Sequence, residues 1–282
     1  PCGELVPGMA YLVRRLLENT ANDSFLRQGF ADGVDEDRLL RNPEWGMGNA
    51  ELGMQKVELN TPHSAIRTPH FQNEPDTDFS IASNREKMKS ALDDFRKNLN
   101  KKYPLIIGGK KIETSEWADS MNPSISSESI GKFSLASLED GEVAIKAALS
   151  TFDSWRDVTV EKRAEILFKA ADIMRRKKFE LAAVMVLEEG KPWHEADGDV
   201  SEAIDFLNYY SIEAKKLFAP EKLISPSGED NYSFYQARGV SAIISPWNFP
   251  LAILTGMASA SIISGNTVIL KPAKQASIIA AY

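Results

Sequence analysis

Cysteine is nearly absent from this chain. One thiol, Cys2, among 282 residues excludes an internal disulfide and fits a reducing cytoplasm. Histidine is almost as scarce, at three. His63 and His70 have no cysteine or third histidine near them, so no metal site is expected and both are read as surface histidines. Positive charge is in the minority, 33 Lys and Arg against 40 Asp and Glu for a net charge of -7, which argues against nucleic acid as a partner. Charge of either sign is missing from Gly239 to Leu270, although 26% of the chain is charged. A run of that kind is either a membrane segment or the inside of a folded domain.

The membrane reading fails on continuity. Pro246 and Pro250 interrupt the run and Gly265-Asn266 breaks it again. The one unbroken helical piece, Leu251 to Ser264, would span about 21 Å at ~1.5 Å per residue, short of the ~30 Å hydrocarbon core. A buried βαβ unit fits better. Val240 to Ile244 and Thr267 to Leu270 are short β-branched runs suited to strands buried on both faces. The helix between them carries Gly256, Ala258, Ser259, Ala260 and Ser261, small enough to pack closely on a sheet, and Gly265-Asn266 supplies a left-handed stop and turn. Ligands of parallel sheets bind at the carboxyl ends of the strands, which singles out Ser245 to Pro250 and Lys271 to Ala273. Asn248 can cap the helix that follows it or present its amide to a ligand.

Residues 245–250, SPWNFP, with GNTVILKPA beginning about twenty residues further on, resemble the cofactor-binding half of the aldehyde dehydrogenase superfamily. The resemblance implies that Asn248 donates its side-chain amide to the oxyanion formed when a thiolate attacks an aldehyde, a task suited to a neutral, fixed donor. It implies that Lys271 binds the adenosine ribose and that Ser245, Pro246 and Trp247 line the cleft of NAD. Many NAD-using relatives carry an acid just after KPA. Lys274 stands there instead, which makes NADP conceivable, while the overall resemblance favours NAD. The family's nucleophilic cysteine and general base belong to motifs well beyond KPA, and Cys2 is not a candidate by position. These 282 residues are therefore expected not to oxidise an aldehyde by themselves.

Near the start, Met9, Leu12, Val13, Leu16 and Leu17 recur at helical spacing. An arginine pair on such a helix is ordinarily a solvated face. YLVRRLLEN, however, resembles the final helix of the proline dehydrogenase barrel. By that resemblance Arg14 and Arg15 grip the carboxylate of proline, Tyr11 lines the pocket, and Glu18 pairs with a barrel lysine outside this chain. Both enzymes on one chain resemble the bifunctional proline utilization A family, which oxidises proline with FAD and then L-glutamate γ-semialdehyde to glutamate with NAD. The chain opens on Pro1 and stops within an apolar helical pattern, so it is expected to be an internal piece, with the FAD barrel upstream. The parent is expected to be a cytoplasmic homo-oligomer acting on small molecules. Membrane contact by the parent is compatible with the resemblance but leaves no mark in these residues.

The expected fold is α/β, the N-terminal part of an aldehyde dehydrogenase fold with an incomplete Rossmann-like parallel sheet. Its divisions are a last barrel helix over 1–30, an inter-domain linker over 31–103 that contains a helix from Asn84 to Tyr103, and a truncated NAD-binding domain over 104–282. That domain opens on a Gly-Gly hairpin, PLIIGGKKIET. Thr159 is expected to cap one helix, and Gly190 with Pro192 to stop another. Arg175 to Lys178 reads as a solvated junction, Tyr232 to Ala237 as an edge strand. Glu202, on a long helix near His194, has a family counterpart near the substrate tunnel, against the ordinary reading of a solvated glutamate. Two rival readings remain: a monofunctional aldehyde dehydrogenase of another substrate, and a non-catalytic scaffold.

Overall fold

In the computed structural model residues 71–282 are described; Cys2, Tyr11, Arg14, Arg15, Glu18, His63 and His70 lie outside them. The helices of the described part are α1 (Ala82–Arg96), α2 (Leu138–Arg156), α3 (Val160–Arg176), α4 (Lys178–Glu189), α5 (Trp193–Leu217), α6 (Ala252–Ile263) and α7 (Ser277–Ala281). The strands are β1 (Lys101–Tyr103), β2 (Leu105–Ile107), β3 (Lys110–Ile112), β4 (Trp117–Met121), β5 (Ser129–Ser134), β6 (Glu221–Lys222), β7 (Tyr232–Ser233), β8 (Val240–Ile244) and β9 (Thr267–Lys271). This α/β arrangement is the expected class.

The core centres on α4. Leu181, Ala182, Ala183, Val184, Met185 and Leu187 are all buried, so this helix is apolar nearly all round and is enclosed by α1, α5 and α7. Its end follows from backbone chemistry: Gly190 adopts φ 69°, a left-handed position that glycine takes without a Cβ clash. Thr159 caps α3 by accepting from Lys162 N. Ser137 and Asp140 form a reciprocal capping box at the start of α2, a signal that sequence reading passed over.

Three expected elements come out differently. The helix read over Asn84 to Tyr103 ends at Arg96, because Asn100 turns the chain at φ 63° and Lys101–Tyr103 then pairs in parallel with Gly131–Phe133 of β5. Of the run Arg175 to Lys178, Lys178 is buried: it pairs with Asp197 at 3.0 Å and donates to the carbonyl of Pro75 at 2.8 Å. Of the edge strand read over Tyr232 to Ala237, only Tyr232–Ser233 pairs, antiparallel to Glu221–Lys222. The irregular stretch 71–78 is tied down by carboxylates of α5. Asp205 accepts from Asn73 Nδ2 and Glu74 N, and Asp197 from Thr77 N and Oγ1, all within 2.6–2.7 Å. Residues 71–103 thus pack into the same unit as residues 104–282.

The hairpin forms as read, with β2 and β3 antiparallel around Gly108 and Gly109 at φ 57° and 76°. The β8–α6–β9 unit also forms as read. Its strands pair in parallel, with Val240 opposite Thr267 and Ile244 opposite Lys271, and Gly265 takes φ 86° at the stop. Two details of the expectation change. Burial falls away toward the carboxyl ends, where Ile244 is 67% and Leu270 46% exposed, so the strands are not covered on both faces throughout. Gly256 faces a helix and not the sheet: a Cβ there would stand 2.9 Å from Phe206 of α5. The contact with the strand comes instead from Ser261, whose Oγ donates to Ser241 Oγ at 2.7 Å.

Candidate functional site

Register places the site. Because Ile244 lies opposite Lys271, the two segments that the sequence singled out leave adjacent strands side by side. Ser245 N donates to the carbonyl of Lys271 at 3.3 Å, tying the segments at their roots. Ser245 is buried and its Oγ has no hydrogen-bond partner, whereas Pro246, Trp247, Asn248 and Lys271 are exposed. An orphaned hydroxyl beside an exposed indole, amide and ammonium group forms a ligand-facing edge. Asn248 does not cap α6; Leu251 is the N-cap residue and no side chain of that end supplies a cap bond.

The cap comes from afar. Asp199 of α5 accepts from the backbone N–H of Ala252 at 2.7 Å, and the N–H of Leu251 adds to the same carboxylate. Lys191, in the turn between α4 and α5, pairs with Asp199 at 2.7 Å, donates to the backbone carbonyl of Asn248 at 3.1 Å and stands 4.4 Å from the centre of the Phe249 ring. Side-chain exposure is 8% for Lys191 and 0% for Asp199. Burial raises the pKa of Asp199, against the opposing pull of Lys191 and the backbone donors. At the other end of α6, Trp155 Nε1 donates to the carbonyl of Ile262 at 3.1 Å and Arg163 Nε to that of Ile263 at 2.9 Å. Asn266 then closes the unit by accepting from Arg238 N and Gly239 N. None of these polar partners was found by sequence reading. Glu202 lies along α5 near the Lys191–Asp199 pair; it is exposed, and partial burial together with Asp199 and Asp205 raises its pKa.

Residues 111–282 match the family model described as the aldehyde dehydrogenase family. The chain belongs to the aldehyde dehydrogenase family. A proline dehydrogenase model matches residues 1–28. A 1-pyrroline-5-carboxylate dehydrogenase of Halalkalibacterium halodurans is 46% identical over 211 residues, which are 75% of this chain and 41% of that protein. Among solved structures, proline utilization A of Bdellovibrio bacteriovorus is 44% identical with a TM-score of 0.74, covering 100% of this chain and 28% of that one. A Thermus 1-pyrroline-5-carboxylate dehydrogenase with bound NAD is also 44% identical with a TM-score of 0.74, covering 75% of this chain and 41% of that one. The chain thus spans well under half the length of these relatives.

Beside the strand ends this aldehyde dehydrogenase chain has a concavity of about 400 Å³, lined among others by Asp119, Glu188, Glu189, Trp247, Lys274 and Gln275. Lys274, one of the lining residues, is exposed. Glu188 is buried and fully partnered, accepting from Ser120 Oγ, Ile278 N and Ile279 N, each at 2.8 Å; burial nevertheless raises its pKa to about 6. Both carboxylate oxygens of Glu189 are buried without a partner. Burial, and then the adjacent charge of Glu188, raise its pKa from 4.5 to about 8.

A pH dependence follows from Glu189. Below pH 4.5 the carboxyl is protonated in folded and unfolded chains alike; between 4.5 and 8 only the folded chain keeps the proton. Stability supplied by this group is therefore full at low pH and is lost as pH rises through 8. Full conversion at 1.36 kcal/mol per pH unit would give roughly 5 kcal/mol, and the side chain's part exposure reduces the expectation to about 1–2 kcal/mol. Glu189→Gln is expected to unfold at higher urea than the parent at pH 8.5 and at the same urea at pH 4. Equal midpoints at both pH values would refute the assignment.

Proposed function

We propose that this chain is the part of an NAD-dependent L-glutamate γ-semialdehyde dehydrogenase that supplies the cofactor cleft and the oxyanion donor. The intact protein would also carry a proline dehydrogenase that uses FAD, so that it converts proline to glutamate. One observation carries the reading: the parallel register sets Ser245–Asn248 beside Lys271 at the carboxyl ends of β8 and β9. The fit to NAD rests on the unpartnered Ser245 Oγ and the exposed Trp247, Asn248 and Lys271 around it. NAD, when bound, supplies the hydride acceptor. The chain's own residues do the rest of what is assigned to them. Lys271 holds a ribose through its ammonium group, Ser245, Pro246 and Trp247 shape the cleft wall, and the Asn248 amide meets the negative charge that develops on the aldehyde oxygen. The nucleophilic thiol comes from outside the described residues, none of which is a cysteine.

The finer assignments belong to the same reading. Arg14 and Arg15 bind the carboxylate of proline and Tyr11 lines that site; Glu202 approaches the semialdehyde. Lys274 in place of an acid leaves NADP as the second cofactor to test. The divisions at residues 30 and 103 separate barrel helix, connection and second enzyme, and the last part of the connection, 71–103, packs against the second enzyme. The intact protein works as a cytoplasmic homo-oligomer. No helix among the described residues is long and apolar enough to cross a membrane.

The test is an assay of the intact protein with L-glutamate γ-semialdehyde and NAD or NADP, and separately with proline and an electron acceptor. Reduction of NAD by the semialdehyde, with proline oxidised in the second assay, is the expected result. Activity on unrelated aldehydes alone would replace the substrate, and a preference for NADP would replace the cofactor.

A further inference from the structure

We propose that Lys191 and Asp199 are positioning residues for Asn248, acting as one buried clamp on the turn between β8 and α6. This rests on the reading of Asn248 as the oxyanion donor. Three contacts of one ammonium group and the two oxygens of one carboxylate account for the backbone on both sides of the turn. Lys191 Nζ takes the carbonyl of Asn248 at 3.1 Å, Asp199 Oδ2 at 2.7 Å and the face of Phe249. Asp199 Oδ1 takes the N–H of Ala252 at 2.7 Å. The pair thus grips residue 248 by its acceptor and residue 252 by its donor, and Pro250 between them is fully buried.

Besides the clamp, the turn is held by backbone bonds at its two ends, Ser245 N to the carbonyl of Lys271 at 3.3 Å and Ile253 N to that of Phe249 at 3.2 Å. Asn248 is exposed, and α6 has no cap from its own N-terminal residues. A carboxylate at a helix N-terminus satisfies donors that have no partner within the helix and is favoured by the helix dipole. Here it is supplied by a residue 53 positions away. The partner ammonium fixes that carboxylate and adds the bond to Asn248. An ion pair this deeply buried is a poor source of net stability, because both ions give up water. What it does provide is direction: the bond to Lys191 orients the carbonyl of Asn248, and with that backbone held the Cα–Cβ bond that carries the amide leaves the turn in one direction, leaving only the side-chain torsions to choose. Oxyanion donors need that fixity, since misplacement by about 1 Å can cost 10²-fold in rate.

The experiment uses the intact enzyme and three variants: Lys191→Met, Asn248→Ala and the two combined. Lys191→Met is expected to lower kcat about 10²-fold with KM for aldehyde and for NAD within about threefold. In the Asn248→Ala background the same change is expected to lower kcat less than twofold further, because the group it positions is gone. Losses that multiply in the double variant would overturn the proposal, as would a Lys191→Met enzyme that loses NAD affinity and keeps kcat. A readout independent of activity is hydrogen exchange at Ala252 N–H, expected to speed at least tenfold in Lys191→Met relative to the strand amides of Ile243 and Val268. Unchanged exchange overturns the clamp even if the enzyme is a dehydrogenase. Faster exchange in an enzyme that oxidises no aldehyde keeps the clamp and rejects the reading of Asn248. Should Lys191→Met fail to fold, Lys191→Met/Asp199→Asn removes the stranded charge and carries the same comparisons.

Discussion

Asn248→Ala in the intact enzyme is expected to lower kcat by about 10²–10³-fold, with NAD affinity changed less than about threefold. The magnitude is that of losing one preorganised donor from an oxyanion site. The direction follows from where Asn248 stands. Its side chain is exposed at the strand ends, it makes no cap bond to α6, and the pair of Lys191 and Asp199 engages only its backbone and that of its neighbours. Removing the amide therefore leaves the turn, Pro250 and the helix start in place, so that a folding defect is not expected. A neutral amide stabilises charge as it forms and offers little to the uncharged aldehyde, so the loss should fall on kcat more than on KM. Asn248→Asp sharpens the comparison: in the proposed role a carboxylate would accept where a donor is needed and would repel the oxyanion, and its rate should fall at least as far as that of alanine. Steady-state rates and a separate NAD titration decide the matter. A change in KM alone would assign Asn248 to ground-state binding, and no change in either would remove it from the site.

The parts of the fold that sequence made legible are those whose causes are local. Val240–Ile244 and Thr267–Lys271 announce themselves by β-branched runs, Gly265 by the need for positive φ, and the β2–β3 hairpin by its glycine pair. The family motif then carried Ser245, Trp247, Asn248 and Lys271 to one end of the sheet, where the register puts them. Illegible parts have causes that lie far along the chain. Leu99 continues the apolar spacing of α1 and does pack on the core, but Lys101–Tyr103 is claimed by a strand about thirty residues later, which no helical period can announce. Lys178 belongs to a basic run of solvated appearance, yet Asp197 and the carbonyl of Pro75 draw it inside. Lys191, Asp199 and Glu188 escaped for the same reason. A charged residue in a sequence reads as surface until its buried partner is known, and here the backbone partners Asn248, Ala252 and Ile278 are fifty or more residues away, although Lys191 and Asp199 themselves stand only eight apart.

Glu188→Ala is expected to destabilise the chain by about 3–5 kcal/mol. Glu188 serves two strangers to its own helix. From the end of α4 it accepts Ser120 Oγ of β4, and it accepts the N–H groups of Ile278 and Ile279 in the first turn of α7. Ala276, the N-cap residue of α7, makes no side-chain cap bond, so Glu188 is the cap. Alanine leaves two backbone donors and a hydroxyl without partners in a place where Ile278 and Ile279 are nearly fully buried. Each orphaned donor costs about 1–3 kcal/mol, and the emptied side-chain space adds a cavity term. Glu188→Gln should cost less, about 1–3 kcal/mol. Its one carbonyl can still serve two donors, while its NH₂ meets the third donor head-on. At pH 7 the native carboxyl, with a pKa near 6, is ionised, so the bonds lost are charge-assisted ones. Urea unfolding gives the energy, and hydrogen exchange at Ile278 and Ile279 gives the place. A loss below about 1 kcal/mol, or exchange at those amides no faster than in the parent, would mean that α7 is held by its apolar side chains and that Glu188 is a bystander.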